Sequence, residues 1–113
     1  MRILVCGHRE FNDVPLLEGI LDDLKPTTII EGEARGADTL SRLYGERRGI
    51  PVLRFPADWN KYGNAAGPIR NKQMLTEGKP DLVVAFLSKD SKGTKDMIKQ
   101  AKDYGTKVEV IHI

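Results

Sequence analysis

The stretch that decides the fold is TIIEGEARGADTL, Thr28 to Leu40. Thr28, Ile29 and Ile30 form a short β-branched run that reads as a buried strand; the run leaves through Gly32, and a helix begins at Ala37 or Asp38. A strand followed at once by a glycine-bearing turn and a helix is half of a β-α-β unit. The connection holds two glycines and two opposite charges, Glu33 and Arg35, where a plain turn needs one special residue. Such a composition suits backbone that must come close to a ligand.

The same alternation continues in both directions. Apolar runs at Ile3 to Cys6, Val52 to Phe55, Leu82 to Leu87 and Val108 to Ile113 read as further strands, the first four of the five buried on both faces and the last an edge. Between them lie helical spacings. Leu17, Ile20, Leu21 and Leu24 follow Asp13, a helix cap with Pro15 inside the first turn, and Lys25-Pro26 ends that helix. The next helix buries Ala37, Leu40 and Leu43 or Tyr44 and stops at Arg48-Gly49; another runs from about Pro68 to Gly78; the last carries Met97, Ile98, Ala101 and Tyr104 to Gly105. Right-handed crossovers then demand a parallel sheet with helices on both faces. The fold class is α/β, a single Rossmann-like three-layer domain over residues 1–113 with strand order 3-2-1-4-5.

A chain of 113 residues supports one core and no second domain. With 18 basic and 16 acidic residues spread throughout, the net charge of +2 forms no concentrated basic face, which argues against duplex binding. The single Cys6 sits in an apolar run and reads as an inert, buried thiol, as in a reducing cytoplasm. Only four apolar residues precede Gly7-His8-Arg9, too few for a signal core or a membrane span, so the expected location is cytoplasmic.

Open parallel sheets bind ligands beyond the carboxyl ends of their strands, where strand order reverses. Every chemically unusual cluster falls on that edge: Gly7-His8-Arg9 after the first strand, Gly32 to Asp38 after the second, Asp58-Trp59 after the third, and Ser88 to Thr94 after the fourth. The opposite edge carries plain helix-ending connections. Ser91-Lys92-Gly93-Thr94 precedes a helix, so its free N–H groups suit a phosphate, with Gly93 allowing close approach. The plainer reading is a turn with Ser91 or Thr94 as cap. Arg70 and Asn71, expected in the first turn of the helix starting at Pro68, place a cation where the helix dipole disfavours it, which calls for an anionic partner, either a ligand phosphate or Asp58.

Arg9 and Arg35 offer planar forks to phosphate or carboxylate, against the plainer reading of solvated surface arginines. Trp59 and Tyr62, in the long connection Pro56 to Gly67, are candidates to stack on a base, although partial packing is commoner. His8 is a candidate acid or base without a partner in sequence. Asp38 is expected to cap its helix, while Glu33 is a candidate for ribose hydroxyls or a water. No metal-ligand spacing, Walker loop or dinucleotide fingerprint is present, and no cofactor is expected.

These motifs together resemble the YspA-like branch of the SLOG superfamily, found in bacteria and phages. The resemblance spans Gly7-His8-Arg9-Glu10-Phe11 with Asp13, the run Gly32 to Asp38, Ala57-Asp58-Trp59, and Ala66-Gly67-Pro68-Ile69-Arg70-Asn71 with Met74. Glu33 departs from it, standing where the branch generally has glycine. The superfamily includes the LOG phosphoribohydrolases, the DNA-processing protein DprA, and sensor domains for nucleotide-derived signals in antiphage defence. Arg70 to Met74 is similar to the LOG Arg-Lys-x-x-Met motif, whose arginine is catalytic. The LOG Gly-Gly-x-Gly-Thr-x-x-Glu motif aligns with Asp90 to Met97, with both leading glycines replaced and Met97 at the catalytic glutamate. A thioether can neither steady an oxocarbenium ion nor activate water.

The resemblance therefore implies first a module that binds a nucleotide or nucleotide-derived signalling ligand through Gly7, His8, Arg9, Gly32, Arg35, Gly36, Asp38, Asp58, Trp59, Asn71, Ser88, Ser91, Lys92, Gly93 and Thr94. Alternatives are a nucleoside monophosphate phosphoribohydrolase using Arg70 with Glu33 or Asp96, and a DprA-like single-stranded DNA binder. A homo-oligomer is expected, and no membrane partner.

Overall fold

The computed structural model describes residues 1–113. Five parallel strands, β1 (Arg2–Gly7), β2 (Thr28–Glu31), β3 (Val52–Arg54), β4 (Leu82–Leu87) and β5 (Lys107–His112), lie in the order β3-β2-β1-β4-β5. The helices are α1 (Val14–Leu24), α2 (Ala37–Arg48), the short α3 (Trp59–Tyr62), α4 (Ala66–Thr76) and α5 (Lys92–Tyr104). Alternate residues of a strand face opposite sides, so β1 contributes to two cores at once. Ile3 and Val5 pack with Leu17, Leu21, Ile29, Ala37 and Phe86, while Leu4 and Cys6 pack with Ile30, Met74, Leu75, Met97 and Ala101. Each fully buried Ile, Leu, Val, Met or Phe side chain among them contributes roughly 1.5–3 kcal/mol. No helix is long and apolar enough to cross a membrane.

Local signals account for most boundaries. Asp13 accepts from Leu16 N, Pro15 lies in the first turn of α1, and Lys25, Gly49 and Gly105 close helices in the left-handed conformation. Four expectations are corrected. β3 is an edge rather than a strand buried on both faces, and Leu53 and Arg54 are exposed because no strand lies beyond it. Of the alternatives in α2, Tyr44 is buried and Leu43 exposed; Tyr104 is also exposed rather than in the core. The connection from Pro56 to Gly67 is largely helical: Asp58 caps α3, a 3-10 turn spans Gly63–Ala65, and α4 follows directly. α4 thus begins two residues before Pro68, which occupies the third position at no cost because that N–H has no partner within the helix.

β1 lies between β2 and β4, so the connections leaving β1 and β4 diverge at the reversal of strand order. Gly7 stands at that point opposite Phe86. A Cβ there would lie 2.8 Å from the Cβ atoms of both Ala37 and Phe86. Only glycine lets the start of α2 come this close to the sheet.

Candidate functional site

Beyond the carboxyl ends of the strands the structure forms a cleft of about 550 Å³. His8 and Arg9 enter it from β1, Asp38 from α2, Trp59 from α3, Arg70 and Asn71 from α4, and Ser91 to Thr94 with Asp96 from α5. A neighbouring hollow of about 470 Å³ is lined by Gly32, Glu33, Arg35, Pro56 and Ala57. The two share Arg9, Ala34, Trp59 and Arg70. Chain segments far apart in sequence therefore meet at one rim. Among the sequence-derived candidates, Gly36, Asp58, Tyr62 and Ser88 line neither hollow.

The start of α5 is the open part of the site. Ser91 precedes the helix, yet its hydroxyl does not cap it; Ser91 Oγ accepts from Ser88 N at 3.1 Å and lies 2.8 Å from Ser88 Oγ. Thr94 does not cap either. The first-turn N–H groups consequently have no side-chain partner, and the helix dipole favours an anion beside them. A Cβ at Gly93 would meet no protein atom within 4 Å, so the protein itself does not require glycine there.

Arg70 lies in the second turn of α4, not the first, and Asp58, the protein carboxylate offered as an alternative to a ligand phosphate, is occupied in accepting from Lys61 N. Instead Arg70 Nη1 donates to the Gly32 carbonyl and Nε to Asn71 Oδ1 at 3.1 Å. Asn71, itself buried, donates to the Gly93 carbonyl at 3.2 Å and to Asp96 Oδ2 at 2.9 Å. Asp96 also accepts from Gln100 at 2.7 Å. These bonds tie Arg70 to the first turns of α5. No ion pair engages Arg9, Arg70 or Lys92.

Two other candidates are engaged. Arg35 meets Glu10 at 3.5 Å on the exposed rim, and Glu33 is paired with Arg54. Glu33 has φ +59, a conformation glycine adopts without strain, which explains why glycine suits this position. Asp38 does not cap α2, whose N-cap is Gly36. Its carboxylate turns back to accept from Gly32 N at 2.9 Å and Ala34 N at 3.4 Å. Burial raises its pKa to about 6 against the opposing pull of Arg70 and these N–H groups. Burial likewise raises the Cys6 thiol well above its ordinary value, in keeping with an inert thiol.

The principal residue missed by sequence reasoning is Glu31. Fully buried, it accepts from Glu33 N at 2.9 and 3.2 Å, and burial together with nearby Asp38 raises its pKa to about 7. A carboxylate closing an apolar strand was the available signal. Glu10, read from the sequence only as part of a family motif, and Asn64 also line the cleft. Met97, at the position of the LOG glutamate, is buried in the core and supplies no polar group.

Fold and site define an open parallel α/β domain with a polar cleft, lined by arginines, a lysine and carboxylates, at the reversal of its strand order. A family model for YspA, cpYpsA-related SLOG proteins matches residues 1–62, and the chain belongs to that family. It is similar to the Gene 61 protein of Mycobacterium phage D29, 29% identical over 117 residues, which cover 95% of this chain and 93% of that protein. Among solved structures it is similar to DNA processing protein A (DprA) from Streptococcus pneumoniae, with a TM-score of 0.77 and 17% identity over 96% of this chain. The match spans 49% of the DprA chain, so the likeness concerns the fold of about half of that protein.

Proposed function

We propose that the cleft binds a nucleotide or a nucleotide-derived ligand, with a phosphate on the first turn of α5 and Arg9, Lys92 and Arg70 around it. The observation that carries this reading is the uncapped start of α5, where the Ser91 hydroxyl is turned away onto Ser88. Arginines and a lysine without ion-pair partners at the same cleft add the charge a phosphate needs.

Thermal unfolding with mononucleotides, ADP-ribose, NAD and cyclic nucleotides tests it. A ligand at a hundredfold excess over its Kd stabilises by about 2.7 kcal/mol, a shift of several degrees for a domain of this size. No shift across the panel overturns the reading. Turnover would draw on Arg70 with Glu33 or Asp96, yet both carboxylates already have partners. Release of free base, lost in Arg70→Ala, would establish it.

A second reading, single-stranded DNA binding, is favoured by Trp59 and Tyr62, which are 50% and 42% exposed and are available to stack on bases. It predicts affinity for an oligonucleotide that falls steeply with salt, whereas binding confined to the cleft is far less salt-dependent.

A further inference from the structure

Three successive N–H groups in the connection from β2 to α2 all donate to carboxylates of the protein. Gly32 N and Ala34 N donate to Asp38 Oδ2, and Glu33 N donates to Glu31. Consecutive N–H groups of this kind make concavities that suit anions. Here the anions come from beneath: Glu31 is 0% and Asp38 4% exposed. The loop also offers the Gly32 carbonyl to Arg70 Nη1; that carbonyl belongs to the peptide whose N–H is donated to Glu31, and Asp38 holds the peptides on either side of it. A Cβ on Gly32 would lie 2.5 Å from Arg70 Nη1, so the guanidinium lies directly against the loop. Asp38 occupies the second position of α2, where the helix dipole steadies a negative charge, and its charge is attracted to Arg70.

We propose that Asp38 is the positioning residue of the site: by holding the Gly32 and Ala34 N–H groups it fixes the two peptides that flank the Gly32–Glu33 peptide, whose carbonyl aims the Arg70 guanidinium into the cleft. Helix capping does not account for Asp38, because Gly36 is the cap and no side chain caps α2. Burial for packing does not account for it either, since an apolar residue would leave two loop donors without acceptors. The importance of an aimed Arg70 rests on the nucleotide reading. The geometry itself is open to test without any ligand.

NMR of ¹⁵N-labelled protein provides the test. In the wild type the Arg70 Nη groups are expected to give separate, slowly rotating signals, and the Gly32 and Ala34 N–H groups to be protected from exchange. Asp38→Ala merges the Arg70 signals and lowers protection at Gly32 and Ala34 by tenfold or more, while Glu33, held by Glu31, keeps most of its protection. Asp13→Ala, which removes the cap of α1, lowers the Tm without altering Arg70 and so separates positioning from general loss of stability.

Should Asp38→Ala fail to fold, titration of the wild type decides the matter. The groups whose charges act on Asp38, Glu31 or Cys6 in this cluster are Glu33, Arg54 and Arg70 along with Asp38 itself. Gly32, Ala34 and Arg70 signals must share the midpoint of the Asp38 carboxyl, with the Glu33 N–H following Glu31. Separate Arg70 signals retained in Asp38→Ala, or Arg70 signals that follow Glu31, overturn the proposal. If Arg70 is locked by Asp38 while AMP and the wider nucleotide panel move no signal, the nucleotide reading falls and the positioning role stands.

Discussion

The connections after β2 and after β4 look alike in sequence, each a strand end, a glycine-containing turn and a helix, yet they are opposite in structure. After β2 the N–H groups are filled by Glu31 and Asp38, and a Cβ at Gly36, with φ +76, would run into the His8 and Arg9 carbonyls. After β4 the first turn of α5 has no side-chain cap, and Gly93 faces open space. One connection is closed on itself and shapes the site from behind. The other remains available to a ligand. Glycine therefore carries different information in the two: backbone crowding in the first, access in the second.

The largest effect is expected at the crowded connection. Gly36→Ala must combine a left-handed backbone with a collision against backbone, and is expected to cost about 3 kcal/mol or more in urea unfolding. A loss below about 1 kcal/mol would break the contrast.

Glu31→Gln sharpens it through pH. The folded-state pKa of Glu31 is about 7, above the usual 4.5, so the stability associated with its neutral form is complete below 4.5 and lost as pH rises through 7. A neutral glutamine, which still accepts from Glu33 N, is expected to stabilise the fold at pH 8 by on the order of 1–3 kcal/mol and to leave it nearly unchanged at pH 4. Equal effects at both pH values would mean that the carboxylate does not titrate in this range.

At the open connection, Gly93→Ala is expected to leave stability unchanged or raise it by up to about 1 kcal/mol, since a helix gains from alanine. Its nucleotide affinity, measured by calorimetry, should fall about tenfold, equivalent to about 1.4 kcal/mol. Undiminished affinity would remove the phosphate from this turn. The smallest effect is expected for Arg35→Ala. Its exposed pair with Glu10 should contribute no more than about 0.5 kcal/mol, and a larger loss would show that the rim helps to hold the closed loop.

The strand order and the gathering of His8, Arg70 and Ser91 to Thr94 at one edge were legible because strand runs, helix spacings and capping residues are local signals. Asp13, Lys25 and Gly49 act as their neighbourhoods imply. Asp58 and Asp38 did not follow expectation, for a common reason: a carboxylate's partner is chosen by whatever donors the fold brings within about 3 Å, and sequence spacing does not state this. Asp58 found the Lys61 N–H, and Asp38 found those of Gly32 and Ala34. The starting point of α4 was misplaced because Pro68 is as comfortable at the third helical position as at the first.

Taken alone, the order of residues determined the α/β architecture, the edge that bears the polar clusters and the burial of Cys6, all consequences of short-range periodicity and hydrophobic burial. Only the tertiary structure decided which backbone donors are satisfied internally and which stay free, and where Arg70 is held. The first outcome depends on which way short polar side chains such as Asp38 and Ser91 turn within their own loops, and the second on bonds from Arg70 and Asn71 to distant segments, none of which sequence spacing specifies.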